Sequence, residues 1–203
     1  MIRRLLQLYL GLAAYGFAIA LMVRAELGLS PWDVFHQGLS RVTPLSHGLI
    51  VNLVGLGLLL LWIPLRIRPG LGTLSNVLVI GTAADLALAI LPSVETLALR
   101  WLMVASAVAI IGLSSGAYIS ANFGPGPRDG LMTGLVARTG WSVRRVRAAI
   151  ELTVLGAGWA LGGSVGLGTL FYALAIGPAV HMALGLFNRA PKSAPHLSAD
   201  ATS

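Results

Sequence analysis

Long apolar stretches separated by short polar segments predict six membrane-spanning helices. The stretches cover residues 5–23, 46–66, 71–91, 101–121, 146–163 and 167–187. Most are close to the roughly 20 residues that an α-helix needs to cross a hydrocarbon core of about 30 Å. The first one follows Arg3 and Arg4 in the manner of a secretory signal, but its apolar run exceeds the roughly 7–15 residues usual there, so we interpret it as a retained helix. The pattern predicts an all-α polytopic membrane protein.

Two short polar segments within this pattern share one sequence. GLSPWDVFHQGL at 28–39 aligns with GPGPRDGLMTGL at 124–135 when the chain is shifted by 96 positions. The same shift aligns two identical GLGTL pentapeptides, at 70–74 and 166–170. Such self-similarity at a fixed period indicates that the chain contains two copies of one structural unit.

The repeat divides the chain into a first unit, residues 1–96, and a second unit, residues 97–187, followed by a polar tail. The tail, 188–203, is rich in Pro, Ser and Ala, and we expect it to be disordered and cytoplasmic. Three spans per unit is an odd number, so the second unit enters the membrane from the opposite side. Inverted repeats of this kind are typical of transporters, whose sites lie near the midplane between the repeats.

Each shared segment has the signals of a helix start. Ser30 is a good N-cap residue, Pro31 suits the first helical position, and Asp33 follows at the third. The predicted helices, 31–43 and 127–139, are about 18 Å long at 1.5 Å per residue, which is too short to span a membrane. They lie either at the interface as amphipathic connectors or as re-entrant helices that dip into the protein. We favour re-entry, because Gly-x-x-Pro-x-Asp occurs in both segments. Paired helix N-termini of this kind would offer free N–H groups to a solute.

The candidate substrate-binding residues lie mostly in these repeated segments. Asp33 and Asp129 either cap their helices or bind substrate or a coupling proton as well. Glu151 either pairs with Arg147, four residues earlier on the same helix, or is a proton or cation site. The full candidate set is Ser30, Asp33, Thr73, Arg128, Asp129, Glu151 and Thr169.

Composition supports the membrane assignment and excludes several other classes. Hydrophobic residues make up 56% of the chain and charged residues 10%, whereas soluble domains carry about 25% charged residues. The chain has no cysteine, which excludes disulfides, thiolate catalysis and Cys-ligated metals. We expect no cofactor and no metal site. The net charge of +7 does not predict a nucleic-acid partner, because the basic residues gather at helix ends.

The distribution of Lys and Arg predicts the orientation. With both termini in the cytoplasm, the segment 26–45 lies outside and 124–145 lies inside. The outside segments then hold only Arg24, Arg41 and Arg100. The inside segments hold Arg3, Arg4, Arg66, Arg68, Arg128, Arg138, Arg144, Arg145, Arg147, Arg189 and Lys192.

Three motifs give the chain a family resemblance: GLSPWD-FHQGL, WIPLR-RPGLGT and GPRDGLMTGL-RTG-S. Together they cover both copies, and the chain resembles the YczE branch of the YczE/YitT-type bacterial integral membrane proteins. The resemblance implies a multi-pass protein of the bacterial inner membrane. It supplies no substrate and no catalytic residues, because members of that family are mostly uncharacterised.

Function at this stage is a hypothesis about transport. The chain has no P-loop, so a transporter would be secondary or passive. We therefore expect a secondary transporter or permease for a small solute, with the lipid bilayer and that solute as partners and homo-oligomerisation as an option. The alternative is a membrane accessory or scaffold protein that supports a neighbouring biosynthetic enzyme or complex. We do not expect an enzyme, since Ser114 of an apparent Ser114–His181 dyad aligns with Ala18 in the first copy.

Overall fold

The computed structural model describes residues 1–187, and this part of the chain consists of eight α-helices joined by short loops. In chain order they are α1 (Ile2–Ala25), α2 (Pro31–Val42), α3 (His47–Leu65), α4 (Leu71–Ile90), α5 (Leu97–Ser120), α6 (Pro127–Thr139), α7 (Val143–Ala160) and α8 (Leu167–Phe187). The predicted all-α class is confirmed. The expectation of a disordered tail at 188–203 lies outside the described residues.

Five of these helices, α1, α3, α4, α5 and α8, are long and apolar enough to cross a membrane. Each corresponds to a predicted span, with ends that differ by a few residues. The helix predicted over 146–163 is present as α7, but it does not belong to this set. Its first half carries Arg144, Arg145, Arg147 and Glu151, which reduce its apolar character.

Helices α1 and α5 pack side by side at the centre, with α4 against α1 and α8 against α5. Small residues let these helices approach closely. A Cβ atom added to Gly16 would lie 2.7 Å from the Cβ of Ala83, and one added to Gly112 would lie 2.7 Å from the Cβ of Ala179. The two contacts are 96 positions apart in both partners, so they are equivalent under the sequence repeat.

The two short helices begin where the sequence predicts. Ser30 is the N-cap of α2, its side chain accepts a hydrogen bond from the backbone N–H of Asp33, and Pro31 occupies the first turn. Gly126 caps α6 without a side-chain hydrogen bond, again with a proline in the first turn. Both starts are therefore encoded locally, by the cap residue and the proline that follows it.

Each GLGTL pentapeptide holds the loop that precedes the short helix of the other copy. The backbone N–H of Gly72 donates to the carbonyl of Phe123 at 2.8 Å, and that of Gly168 donates to the carbonyl of Leu27 at 2.7 Å. These two hydrogen bonds are again 96 residues apart. The held loops turn at Gly28 and Gly124, with φ of 109° and 115°, a region that glycine adopts without steric cost.

The two threonines of these pentapeptides stabilise the turns that begin α4 and α8. The hydroxyl of Thr73 accepts from the N–H of Gly70 at 3.1 Å, and that of Thr169 accepts from the N–H of Gly166 at 3.2 Å. Thr73 also donates to the carbonyl of Pro125 at 2.8 Å, in the loop before α6. Both threonines are buried and serve the contact between the two copies.

Candidate functional site

A central cavity of about 200 Å³ lies where the two short helices begin. Trp32 and His36 of α2 line it, together with residues 126–129, which are the N-cap and the first turn of α6. Its remaining polar lining comes from the spans and from α7: Tyr15, Asn76, Ser115, Tyr118, Arg147, Glu151 and Tyr172. The first turn of a short helix from each copy of the repeat therefore contributes to the lining of one cavity.

Arg128 is the cation of this cavity that has no carboxylate partner. Its guanidinium carbon lies 4.8 Å from the centroid of the Trp32 ring, within the range of a cation–π contact. Among residues 1–187, no carboxylate oxygen lies within ion-pair distance of it. The contact with Trp32 joins the two short helices, and it leaves the N–H donors of the guanidinium available to an anionic group.

Asp129 and Asp33, although equivalent in the repeat, have different surroundings. The side chain of Asp129 lines the cavity and accepts a hydrogen bond from the hydroxyl of Tyr118 at 2.8 Å. Asp33 is 1% exposed and does not line the cavity. Its carboxylate accepts from the Ser30 hydroxyl at 2.5 Å and from Nδ1 of His36 at 3.1 Å. Asp33 therefore stabilises the start of α2, whereas Asp129 faces the space a solute would occupy.

Burial and the hydrogen bond between Asp33 and His36 act in opposite directions on the pKa of each side chain. Burial by itself raises the pKa of Asp33, but the hydrogen bond from His36 and the nearby positive charge of Arg128 outweigh it and hold that pKa below its usual value. Burial lowers the pKa of His36 to about 4, although the Asp33 carboxylate opposes this shift. At neutral pH, His36 is thus an uncharged imidazole that donates from Nδ1 and keeps a lone pair on Nε2.

Glu151 and Arg147 form the ion pair that their spacing allows. Nε of Arg147 donates to Oε1 of Glu151 at 2.8 Å, with side chains that are 54% and 37% exposed respectively. Both residues also line the cavity. The structure therefore brings Arg128, Asp129 and Glu151 together, whereas Ser30, Asp33, Thr73 and Thr169 lie outside the cavity lining in structural hydrogen bonds.

Sequence reasoning missed two histidines and three tyrosines. His36 follows Asp33 by three residues on α2, a spacing that places both on one helix face and could have been read from the sequence. His47 is the first residue of α3, and the centroid of its ring lies 6.1 Å from that of His36. No sequence spacing predicts that His47 lies close to His36, because this contact depends on the turn between α2 and α3. Tyr15, Tyr118 and Tyr172 lie on three different helices within apolar runs.

Comparison with known proteins gives a family but no activity. Residues 2–184 match the model of the "Family of unknown function (DUF6198)". An "Uncharacterized protein" of Haemophilus influenzae is 35% identical over 184 residues, covering 91% of this chain and 84% of the relative. The "Uncharacterized membrane protein YczE" of Bacillus subtilis is 36% identical over 173 residues, covering 83% of this chain and 80% of the relative. No solved structure matches. The predicted resemblance to YczE is confirmed, and the chain belongs to the family of unknown function DUF6198.

Proposed function

We propose that this membrane protein is a secondary transporter or permease for a small polar solute, and that the central cavity binds the solute. One observation carries the proposal: the first turns of the two short helices, one from each copy, contribute side chains to the lining of the same cavity. Helix N-termini present free N–H groups and the positive end of a dipole, and transporters with repeated units commonly place their sites between such ends.

The polar lining of the cavity favours a solute that carries an anionic group together with a hydrogen-bond donor. Arg128 supplies an unpaired guanidinium, which binds carboxylates and phosphates in a bidentate manner. Asp129 and the hydroxyl of Tyr118 can accept and donate hydrogen bonds to the rest of the solute. The cavity of about 200 Å³ is smaller than the roughly 300–1,000 Å³ of drug-sized sites, so the solute is small.

The transporter proposal includes an inverted topology in the bacterial cell membrane. Here α7 crosses as a sixth span, with Arg144, Arg145 and Arg147 near its cytoplasmic end, and both termini lie in the cytoplasm. The two copies are then related by an axis in the membrane plane. The glycine contacts and backbone hydrogen bonds that recur 96 residues apart support this relation.

Labelling of single cysteines should place the two repeated segments on opposite sides of the membrane. Because the chain has no cysteine of its own, Pro44→Cys and Trp141→Cys each introduce one exposed thiol. We expect a membrane-impermeant maleimide to label position 44 in intact spheroplasts and position 141 only after lysis. The unsubstituted chain is the control. Labelling of both positions from the same side would remove the inverted repeat and the transport argument with it.

Solute flux into liposomes tests the proposed activity. Purified protein is reconstituted with valinomycin, and light scattering follows re-swelling after an osmotic step with potassium lactate, potassium phosphate, glycine or glycerol. We expect re-swelling faster than in protein-free liposomes for at least one anion. Arg128→Gln should slow it at least about tenfold, since losing a charged hydrogen bond costs about 1.5–3 kcal/mol. Arg144→Gln, which removes an exposed arginine, should not.

One result of this assay would contradict the transport proposal. If every solute gives the re-swelling rate of protein-free liposomes, the transport proposal fails. The chain would then be better described as an accessory protein, and affinity purification from native membranes should recover a stoichiometric partner enzyme.

A further inference from the structure

Three buried side chains, of which one also lines the central cavity, form a second cluster. It consists of Asp33 and His36 on α2 and His47 at the start of α3, and we name it the Asp–His–His cluster. One ligand-type atom from each side chain lies within 4.8 Å of the others. Asp33 is 1%, His36 0% and His47 8% exposed, so all three side chains are shielded from water.

The Asp–His–His cluster contains two unsatisfied nitrogen atoms. Nε2 of His36 and Nε2 of His47 are buried, and among residues 1–187 neither has a hydrogen-bond partner. Buried polar atoms in native proteins nearly always have a partner, so each exception needs an explanation. A ligand that accepts the lone pairs of both imidazoles would satisfy both atoms at once.

Asp33 orients His36 for such a ligand. Its Oδ1 accepts from Nδ1 of His36, and its Oδ2 accepts from the hydroxyl of Ser30. Because the carboxylate only accepts, the proton between the two groups lies on Nδ1 of His36, and Nε2 offers its lone pair to a metal ion. A carboxylate that fixes the tautomer of a ligating histidine is the usual support of protein metal sites.

We propose that the Asp–His–His cluster binds a divalent transition-metal ion of the Zn²⁺ class. Imidazole nitrogens and carboxylate oxygens suit Zn²⁺ and its neighbours in the first row, whereas Ca²⁺ and Mg²⁺ prefer all-oxygen sites. With Nε2 of His36 and Nε2 of His47 as ligands and Asp33 as the support of His36, coordination positions stay open for water or another ligand, as in sites that exchange ligands. The metal site adjoins the central cavity, because His36 belongs to both. Metal binding at this site does not depend on the transport proposal.

Metal binding by the purified full-length chain tests this inference. The protein is treated with a chelator in detergent, desalted and titrated with Co²⁺ or Zn²⁺. We expect visible absorption from one tightly bound Co²⁺ per chain and a higher melting temperature with Zn²⁺, because a ligand of the folded state stabilises it. Absence of both signals in the unsubstituted protein would overturn the proposal without any variant.

Substitutions then locate the ion. His36→Ala and His47→Ala should each abolish the Co²⁺ absorption, and Asp33→Asn should weaken binding about 10–100-fold. His181→Ala is the matched control, since His181 is exposed and distant in sequence, and it should bind as the unsubstituted chain does. Metal binding is measured only on variants that elute as a monodisperse peak in size-exclusion chromatography, so that folded proteins are compared. Unchanged Co²⁺ binding by a folded His36→Ala/His47→Ala variant would overturn the assignment.

Discussion

Replacing Gly48 with alanine should leave little folded protein, whereas replacing Gly57 with alanine in the same helix should raise thermal stability. A Cβ atom at Gly48 would lie 1.9 Å from the carbonyl oxygen of Gly81 on α4. A Cβ atom at Gly81 would lie 2.1 Å from the carbonyl oxygen of Gly48. The backbones of α3 and α4 are thus in direct contact, and the helices would have to separate to admit a methyl group.

The expected cost of Gly48→Ala exceeds that of ordinary overpacking. Overpacking costs about 1–3 kcal/mol when the neighbouring side chains can move. Here the obstacle is backbone, and separation of the helices would also break the hydrogen bond from the N–H of Gly48 to Asp85, at 2.7 Å. We therefore expect a loss above about 3 kcal/mol. Gly57 has no atom within 4 Å of an added Cβ, so alanine there gains about 0.8–1 kcal/mol of helix propensity.

Both variants can be measured in one detergent by fluorescence-detected size exclusion and thermal unfolding. Gly48→Ala should lose most of the monodisperse peak, and Gly57→Ala should keep the peak and melt at a higher temperature. A Gly48→Ala protein with the yield and melting temperature of the unsubstituted chain would show that the α3–α4 contact is not as close as described.

Local sequence signals predicted the parts of the fold that depend on a few neighbouring residues. The short helices were expected at 31–43 and 127–139, and they occur at Pro31–Val42 and Pro127–Thr139. Their starts were predictable because an N-cap residue followed by proline determines the first turn locally. The five long apolar helices were predictable because the length of each apolar run matches the thickness of the membrane.

Features that depend on contacts between distant segments were not predictable. The repeat placed Asp33 and Asp129 at equivalent backbone positions, yet their partners differ. His36, which bonds to Asp33, aligns with Met132 in the second copy, and Tyr118, which bonds to Asp129, aligns with Met22 in the first. The repeat therefore determines the backbone position of a side chain. The surrounding residues, which differ between the two copies, determine its contacts. The approach of His47 to His36 is of the same kind, since it exists only after α2 and α3 fold together.

Asparagine substitutions should separate the roles of the two aspartates. Asp33→Asn should lower stability by about 1.5–3 kcal/mol, because the carboxylate accepts two hydrogen bonds in a fully buried position and charged hydrogen bonds have this magnitude. Asparagine offers a single acceptor oxygen, so one of the two donors, Ser30 or His36, must find another partner.

Asp129→Asn should instead fold normally and lose transport. Asp129 is half-buried, and an asparagine oxygen can still accept from Tyr118, so stability should change by no more than about 1 kcal/mol, the size of the lost helix-dipole interaction. The cavity, however, loses the charged acceptor that Asp129 offers to a hydrogen-bond donor of the solute, and we expect re-swelling of liposomes to slow at least about tenfold. Thermal unfolding with excess chelator and the liposome assay are run on both variants. Normal transport by folded Asp129→Asn would show that Asp129 serves only as a helix-capping residue. Equal loss of stability in both variants would contradict the different surroundings of Asp33 and Asp129.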